Sequence, residues 1–300
     1  MPTFQLSTKS PSVPQERVRI FRLAPTRVSQ KTVFEVARRF GLKGDMKTGS
    51  LCQDSRQTGY SEGSLEFVVH HASHGLRFHD RARWQVDDGA SRVEFDDETA
   101  IRLAEGIIKA HSVVPLDECR VLRVTRLNVG VAEPRTGLAE HRVIDVGVVF
   151  GRVIDGIPVE GPGGKVMVYI DHKGDLTGID RIWRDISGVH ADDVPLRSTE
   201  VVQQEALREW GEKGSGLVTI DDIRFGYFEH AWDVSQRYLQ PAYVLSMTIT
   251  ATEGPFSGRA AVRSGYLGAA ALRSPERLVP QPPTVPPQTP RQRYRDGASS

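Results

Sequence analysis

Apolar residues recur at helical spacing in three places along the chain. Behind Ser29, the positions Val33, Phe34, Val36, Ala37 and Phe40 line one stripe and predict a helix over 29–40. Ser29 would accept a bond from an orphan backbone N–H at its start, and Gly41 would end it. A second stripe, Ala100, Ile101, Ala104, Ile107 and Ile108, follows Asp97 as the expected cap. A third, Val202, Ala206, Leu207 and Trp210, follows Ser198 and stops at Gly211.

Between these stripes the pattern turns to period two and to β-branched runs. Residues 66–84, EFVVHHASHGLRFHDRARW, match residues 165–183, KVMVYIDHKGDLTGIDRIW. In each, an apolar run leads to a polar tetrad ending in glycine, Gly75 or Gly174, and then to a tryptophan nine positions on, Trp84 or Trp183. This is the pattern of a β-hairpin whose turn glycine takes positive φ. Further strands are expected at 123–129 and 142–150, around a polar loop, and at 217–230, 238–252 and 258–267. Pro241 suits an edge or a strand start.

Helices separated by antiparallel strands predict an α+β protein of tandem units, each with one helix packed on a curled antiparallel sheet. The expected organisation is an N-terminal extension with a short strand over 1–19 and units over 20–96, 97–196 and 197–270. The second unit is the longer and carries a Gly-rich loop. From 271 to 300 prolines alternate with polar residues, the composition of a disordered or polyproline II tail.

The small-residue helix faces (Ala100 and Ala104; Ala206), the Asp171-His172-Lys173-Gly174-Asp175-Leu176 hairpin end and the strand start Pro241-Ala242-Tyr243-Val244 have a counterpart. Over residues 27–268 the chain resembles the PepSY and FTP-type domains of bacterial proteins. Such domains occur in protease propeptides and in extracytoplasmic regulators. The resemblance implies a protein-binding or regulatory role, inhibitory or chaperone-like, with no chemistry of its own.

Composition narrows the alternatives. With 39 basic and 38 acidic side chains in 300 residues, the chain carries a net charge of +1, which argues against nucleic acid as the partner. No run approaches the roughly 18 apolar residues of a membrane span. No secretory leader pattern opens the sequence, so the expected compartment is the cytoplasm if the N-terminus is complete. It is extracytoplasmic if a leader has been removed. Cys52 and Cys119 are the two cysteines. They form no CxxC pair, and both a bridge and two free thiols stay open.

Candidate chemistry is sparse. His71, His74 and His79, with His70 beside them, are the densest set of metal-ligating side chains. Strand alternation sends His70 and His71 to opposite faces, so at most three could converge on an ion. The glycine loop Gly161-Pro162-Gly163-Gly164-Lys165 lacks the Ser or Thr and the following helix of a phosphate loop, which leaves a strand connection. If there is a partner surface, the expected residues are Arg152, Asp155, Gly163, Gly164 and Lys165, with Asp171 and Asp175 of the neighbouring turn. The carboxylate pairs fit caps and turns, and no GxSxG or HExxH motif is present.

No catalytic residue and no cofactor is implied. The function expected is capture of a protein or peptide, with sheet-edge addition the natural mode for open antiparallel sheets. Two other classes remain: an enzyme of a biosynthetic or peptide-modifying kind with its site between units, and an assembly-forming repeat protein. Trp84, Trp183 and Trp210 read as packing residues, Trp232 stays unassigned, and Arg120, Arg123 and Arg126 read as outer strand positions.

Overall fold

The computed structural model describes residues 4–6, 17–84, 92–132, 139–206, 208, 216–251 and 260–269. In chain order come β1 (Phe4–Leu6), β2 (Arg17–Leu23), α1 (Gln30–Arg39), β3 (Ser50–Gln53), β4 (Gln57–Glu62), β5 (Leu65–His70) and β6 (Leu76–Asp80). A 3₁₀ turn at Arg81–Trp84 precedes α2 (Asp97–His111). After a second 3₁₀ turn at Leu116–Glu118 follow β7 (Cys119–Ala132), β8 (Ala139–Ile154), β9 (Ile157–Glu160), β10 (Lys165–Asp171), β11 (Leu176–Ile182) and β12 (Ile186–Pro195). Helix α3 (Thr199–Ala206) and strands β13 (Gly216–Phe228), β14 (Tyr238–Ala251) and β15 (Ala260–Gly268) complete the set. The expected Gly211 stop, the Trp210 packing position and the Pro-rich 271–300 segment lie outside the described residues.

One connected sheet system runs β12-β2-β14-β13-β9-β8-β10-β11-β6-β5-β4-β3, with β1 on β13, β15 on β14 and β7 on β8. Pairing is antiparallel except for β1 with β13 and β9 with β13, so the sheet is mixed. The expected tandem units, each with its own helix on its own curled sheet, are therefore not what forms. Both hairpins exist, β5–β6 and β10–β11, but β6 pairs with β11 from Leu76↔Arg181 to His79↔Gly178. Two separate ribbons would each leave unpaired N–H and C=O rows at an edge; joining them satisfies both. The repeated hairpins are thus neighbours within one eight-stranded antiparallel stretch, β7-β8-β10-β11-β6-β5-β4-β3.

The helices follow the same logic. Helices α1 and α2 share one core rather than covering two: Val33 and Ala37 of α1 and Ala100, Ala104 and Ile108 of α2 bury with Phe67, Phe78, Val148 and Ile179. Phe40 joins them, its ring 4.9 Å from that of Phe78 and stacked 4.9 Å from His111. The small residues Ala100 and Ala104 let α2 approach the strands closely. Helix α3 belongs to a second core with β2, β9, β13, β14 and β15, where Val202 and Ala206 meet Ile220, Leu239 and Leu245.

Local starts and stops agree closely with the chain's polar signals. Ser29 caps α1 by accepting from Thr32 N–H at 3.1 Å. Helix α2 is capped by Asp96, one residue before the expected Asp97, through Thr99 N–H at 2.9 Å. In the β10–β11 turn Gly174 takes φ +84°, but in the β5–β6 turn His74, with φ 54°, takes the left-handed position expected of Gly75. The tryptophans also part company. Trp84 ends a 3₁₀ turn, whereas Trp183 follows β11 and is buried.

Both cysteines are free thiols. Burial pushes the Cys119 thiol up to about 11, and it donates to Pro115 O at 3.2 Å. No helix among the described residues is long and apolar enough to cross a membrane.

Candidate binding site between the sheet and the Trp232 loop

Strand alternation divides the eight-stranded stretch into a helix-covered face and an outer face. On β6, Leu76 and Phe78 enter the core while Arg77 and His79 point outward; on β11, Ile179 enters and Asp180 points outward. Arg77 and Asp180 are registered partners, and Arg77 Nε donates to Asp180 Oδ1 at 2.7 Å. The second carboxylate oxygen accepts from Tyr169 OH at 3.2 Å, and His79 Nε2 lies 3.8 Å from the first. Burial works against the Asp180 charge, but the His79 and Arg77 bonds outweigh it and hold the carboxyl below its ordinary range. Burial, reinforced by the Asp180 charge, pushes the Tyr169 phenol up to about 12.

Glycines shape this face. A Cβ on Gly147 or Gly178 would lie 3.5 and 3.2 Å from the Tyr169 ring, which therefore settles between them over the bare backbone.

The opposite wall comes from the other half of the chain. The loop between β13 and β14 brings Trp232 over the outer face, its indole 38 % exposed. The ring of His70 stands 4.3 Å from the indole, and the Arg77 guanidinium 5.2 Å from it. With Leu76, Pro162, Arg181, Ile182 and Ala231 these residues line a cavity of about 350 Å³. Burial and the Arg77 charge push the His70 pKa down, so the imidazole is neutral at pH 7.

What holds that loop in place is a buried charge. Arg184, 2 % exposed, donates from Nη1 to Glu229 Oε1 at 3.1 Å and to His230 O at 2.8 Å. Its Nη2 reaches Ala231 O at 2.8 Å and Val234 O at 2.6 Å, and its backbone N–H donates to Glu229 Oε1 at 3.0 Å. Gln236 braces the loop from its far end, accepting from His230 N–H at 2.9 Å and donating to Phe228 O at 2.8 Å.

The residues singled out in the sequence fall into three separate places. Arg152, Gly163, Gly164 and Lys165 sit at the buried junction beside Arg184. Arg152 donates to Glu118 at 2.6 Å and to Arg184 O at 2.7 Å, with its guanidinium 4.9 Å from the Trp183 ring. Lys165 Nζ closes the glycine loop from within, donating to Gly161 O and, at 3.1 Å, to Gly163 O. Burial pushes the Lys165 ammonium down, against the pull of Glu160 and Glu229. The loop is a packing element: a Cβ on Gly163 would stand 2.5 Å from His230 O, and one on Gly164 would stand 2.5 Å from Val159 at φ +64°.

Gly163→Ala is accordingly expected to lower stability by about 1–3 kcal/mol, since the carbonyl of His230 is backbone and cannot swing aside. Chemical unfolding of the two proteins side by side measures it.

Asp171 and Asp175 lie at the hairpin turn instead, both bound by Arg83 Nη1 at 2.7 and 2.9 Å. Asp171 also accepts from the backbone N–H of Lys173 and Asp175, which closes the turn. Asp155 occupies the β8–β9 turn, with φ 53°, and pairs with Arg19.

The three histidines do not converge. His71 bonds Thr58 Oγ1 at 2.8 Å, His74 sits in the turn, and His79 points to Asp180 on the outer face. Among the described residues no group of three His, Cys, Asp or Glu side chains could hold a metal ion.

Sequence reading passed over Arg77, Asp180, Arg184 and Glu229 and left Trp232 unassigned. No local pattern connects position 184 to 229.

No protein-family model matches the chain, and no curated protein matches it. Among solved structures it is similar to an uncharacterized protein from Eubacterium rectale ATCC 33656, with a TM-score of 0.52 at 9 % identity. The match covers 85 % of this chain and 84 % of that one, and it bears on the fold alone.

Proposed function

We propose that this protein binds a polypeptide without altering it covalently, and that the Trp232 cavity takes one side chain of the partner. One observation carries the reading: an exposed indole, 38 % accessible, is fixed by a buried clamp at the mouth of a cavity of about 350 Å³. That volume is at the small end for ligand sites and suits a single aromatic or branched side chain. The aromatic wall, backed by His70 and by the Arg77–Asp180 pair, has the composition of an interface hot spot.

The lining favours binding over catalysis. It offers no hydroxyl, thiol or amine nucleophile, and Asp180 is already occupied by Arg77 and Tyr169. Asp180 is lowered rather than raised, and the ring of His70 is packed against the Trp232 indole at 4.3 Å, with no nucleophile in the lining for it to activate. The regulatory setting implied by the PepSY-type resemblance is consistent with such a role and forms part of the same proposal.

The test is selection of displayed peptides on the native protein and on Trp232→Ala. Peptides enriched on the native protein should bind Trp232→Ala at least tenfold more weakly, as expected for loss of an aromatic anchor, with unfolding midpoints alike. Failure to enrich any sequence, or enriched peptides that bind both proteins equally, would overturn the reading.

A further inference from the structure

A second surface stands out at an edge of the same sheet. Strand β7 runs for 14 residues, and among the described residues its ladder partner is β8 alone, so one row of its backbone N–H and C=O groups faces outward. Long edges of this kind are normally shortened, charged against pairing or covered. This edge carries charge and shifts register at Val121/Arg123 and Leu127/Asn128, yet it keeps apolar side chains at the surface: Val121, Leu122 and Leu127 are 40 to 49 % exposed. Arg120, Arg123 and Arg126 alternate with them, and residues 119–128 contain no acid.

The charges are under-compensated. Arg126 pairs with Asp97 at the start of α2. Arg120 and Arg224 share one carboxylate oxygen of Glu160, at 4.0 and 3.9 Å. Around the outer side of β7 the cations therefore exceed the anions among the described residues. Leu122 lies over Gly151, where a Cβ would stand 2.9 Å from it, so an apolar side chain is held beside the arginines.

We propose that β7 is the docking edge for an extended acidic segment of a partner protein, which adds as a further strand. The strand would gain main-chain bonds from the open edge; its carboxylates would lie on the side of Arg120 and Arg123, and its alternate apolar side chains on the other side, beside Val121 and Val124. A second copy of this chain is the poorer occupant, because two β7 strands side by side would set arginines against arginines. The inference is separate from the pocket proposal, since nothing in it requires Trp232.

The probe is a fluorescently labelled decapeptide of alternating Glu and Val, compared with its Lys-for-Glu counterpart by anisotropy. The acidic peptide should bind at least tenfold more tightly, and added salt should weaken it. Arg123→Glu should weaken binding at least tenfold, and Trp232→Ala should leave it unchanged. Methylating every second peptide amide should abolish binding for one set of positions and spare the other, the signature of a strand on an edge. Equal binding of the two peptides, indifference to Arg123→Glu, identical effects of both methylation sets, or self-association through β7 that excludes the peptide would each overturn it.

Discussion

Replacing Arg184 by leucine is expected to destabilise the protein by about 3–5 kcal/mol at pH 7, the range for removing one partner of a buried ion pair. Glu229, fully buried, would keep its backbone bond from residue 184 but lose the guanidinium beside Oε1. Burial already raises its pKa, with Arg184 and Arg152 opposing that rise. Without Arg184 the easiest escape is protonation. Neutralising a carboxyl with an ordinary value of 4.5 costs about 3.4 kcal/mol at pH 7, at 1.36 kcal/mol per pH unit. That figure falls inside the range for the broken pair, so the penalty should shrink as the pH is lowered towards 5. The double variant Arg184→Leu/Glu229→Leu should recover only part of the loss, because Arg184 also serves the carbonyls of His230, Ala231 and Val234. Urea unfolding of the native, single and double variants at pH 5 and pH 8 measures all of this. A penalty independent of pH would mean that Glu229 does not carry the charge of the pair.

The same cluster marks the boundary of what could be read from residues alone. The caps at Ser29 and in the Asp96–Asp97 pair, the small faces of α2 and α3 and the two hairpin turns are local. Each depends on a side chain within four residues of the backbone it organises. The strands of the last third were likewise visible as β-branched runs. The pairing of β6 with β11 was not visible, since hairpins with equally apolar strands present equivalent edges, and nothing in either says which edge meets which. Once that pairing is missed, two hairpins become two units, and the single core under α1 and α2 is split between them. The site suffered in the same way. Arg152, Gly163, Gly164 and Lys165 were noticed because a glycine loop is conspicuous, yet they pack a junction. Trp232 and its clamp connect positions 184 and 229, a separation that local patterns do not span.

A second buried carboxylate makes the fold's stability fall as the pH rises. Asp145 lies where β8 meets β10, accepting from Ile170 N–H at 2.9 Å and from the Thr177 hydroxyl at 2.8 Å, with no cation bonded to it among the described residues. Desolvation pushes its pKa from an ordinary 3.8 up to about 6, while those two bonds pull it down and the nearby Asp171 charge pushes it up. Well below the ordinary value of 3.8 the carboxyl is protonated in the folded and unfolded chains alike. Between about 4 and 6 the unfolded chain ionises and the folded one resists, so the folded state holds more protons and loses relative stability. The loss totals about 3 kcal/mol, from roughly two pH units at 1.36 kcal/mol each, and levels off above about 6. Asp145→Asn keeps an acceptor for Ile170 and a group for the rotatable Thr177 hydroxyl, without the charge. The variant should match the native protein near pH 4 and exceed its stability by up to about 3 kcal/mol at pH 8. Because Glu229 titrates in both proteins, its contribution cancels in their difference. Unfolding free energies measured from pH 4 to pH 8 decide it: a gap that stays constant across the range would show that Asp145 is not the titrating group.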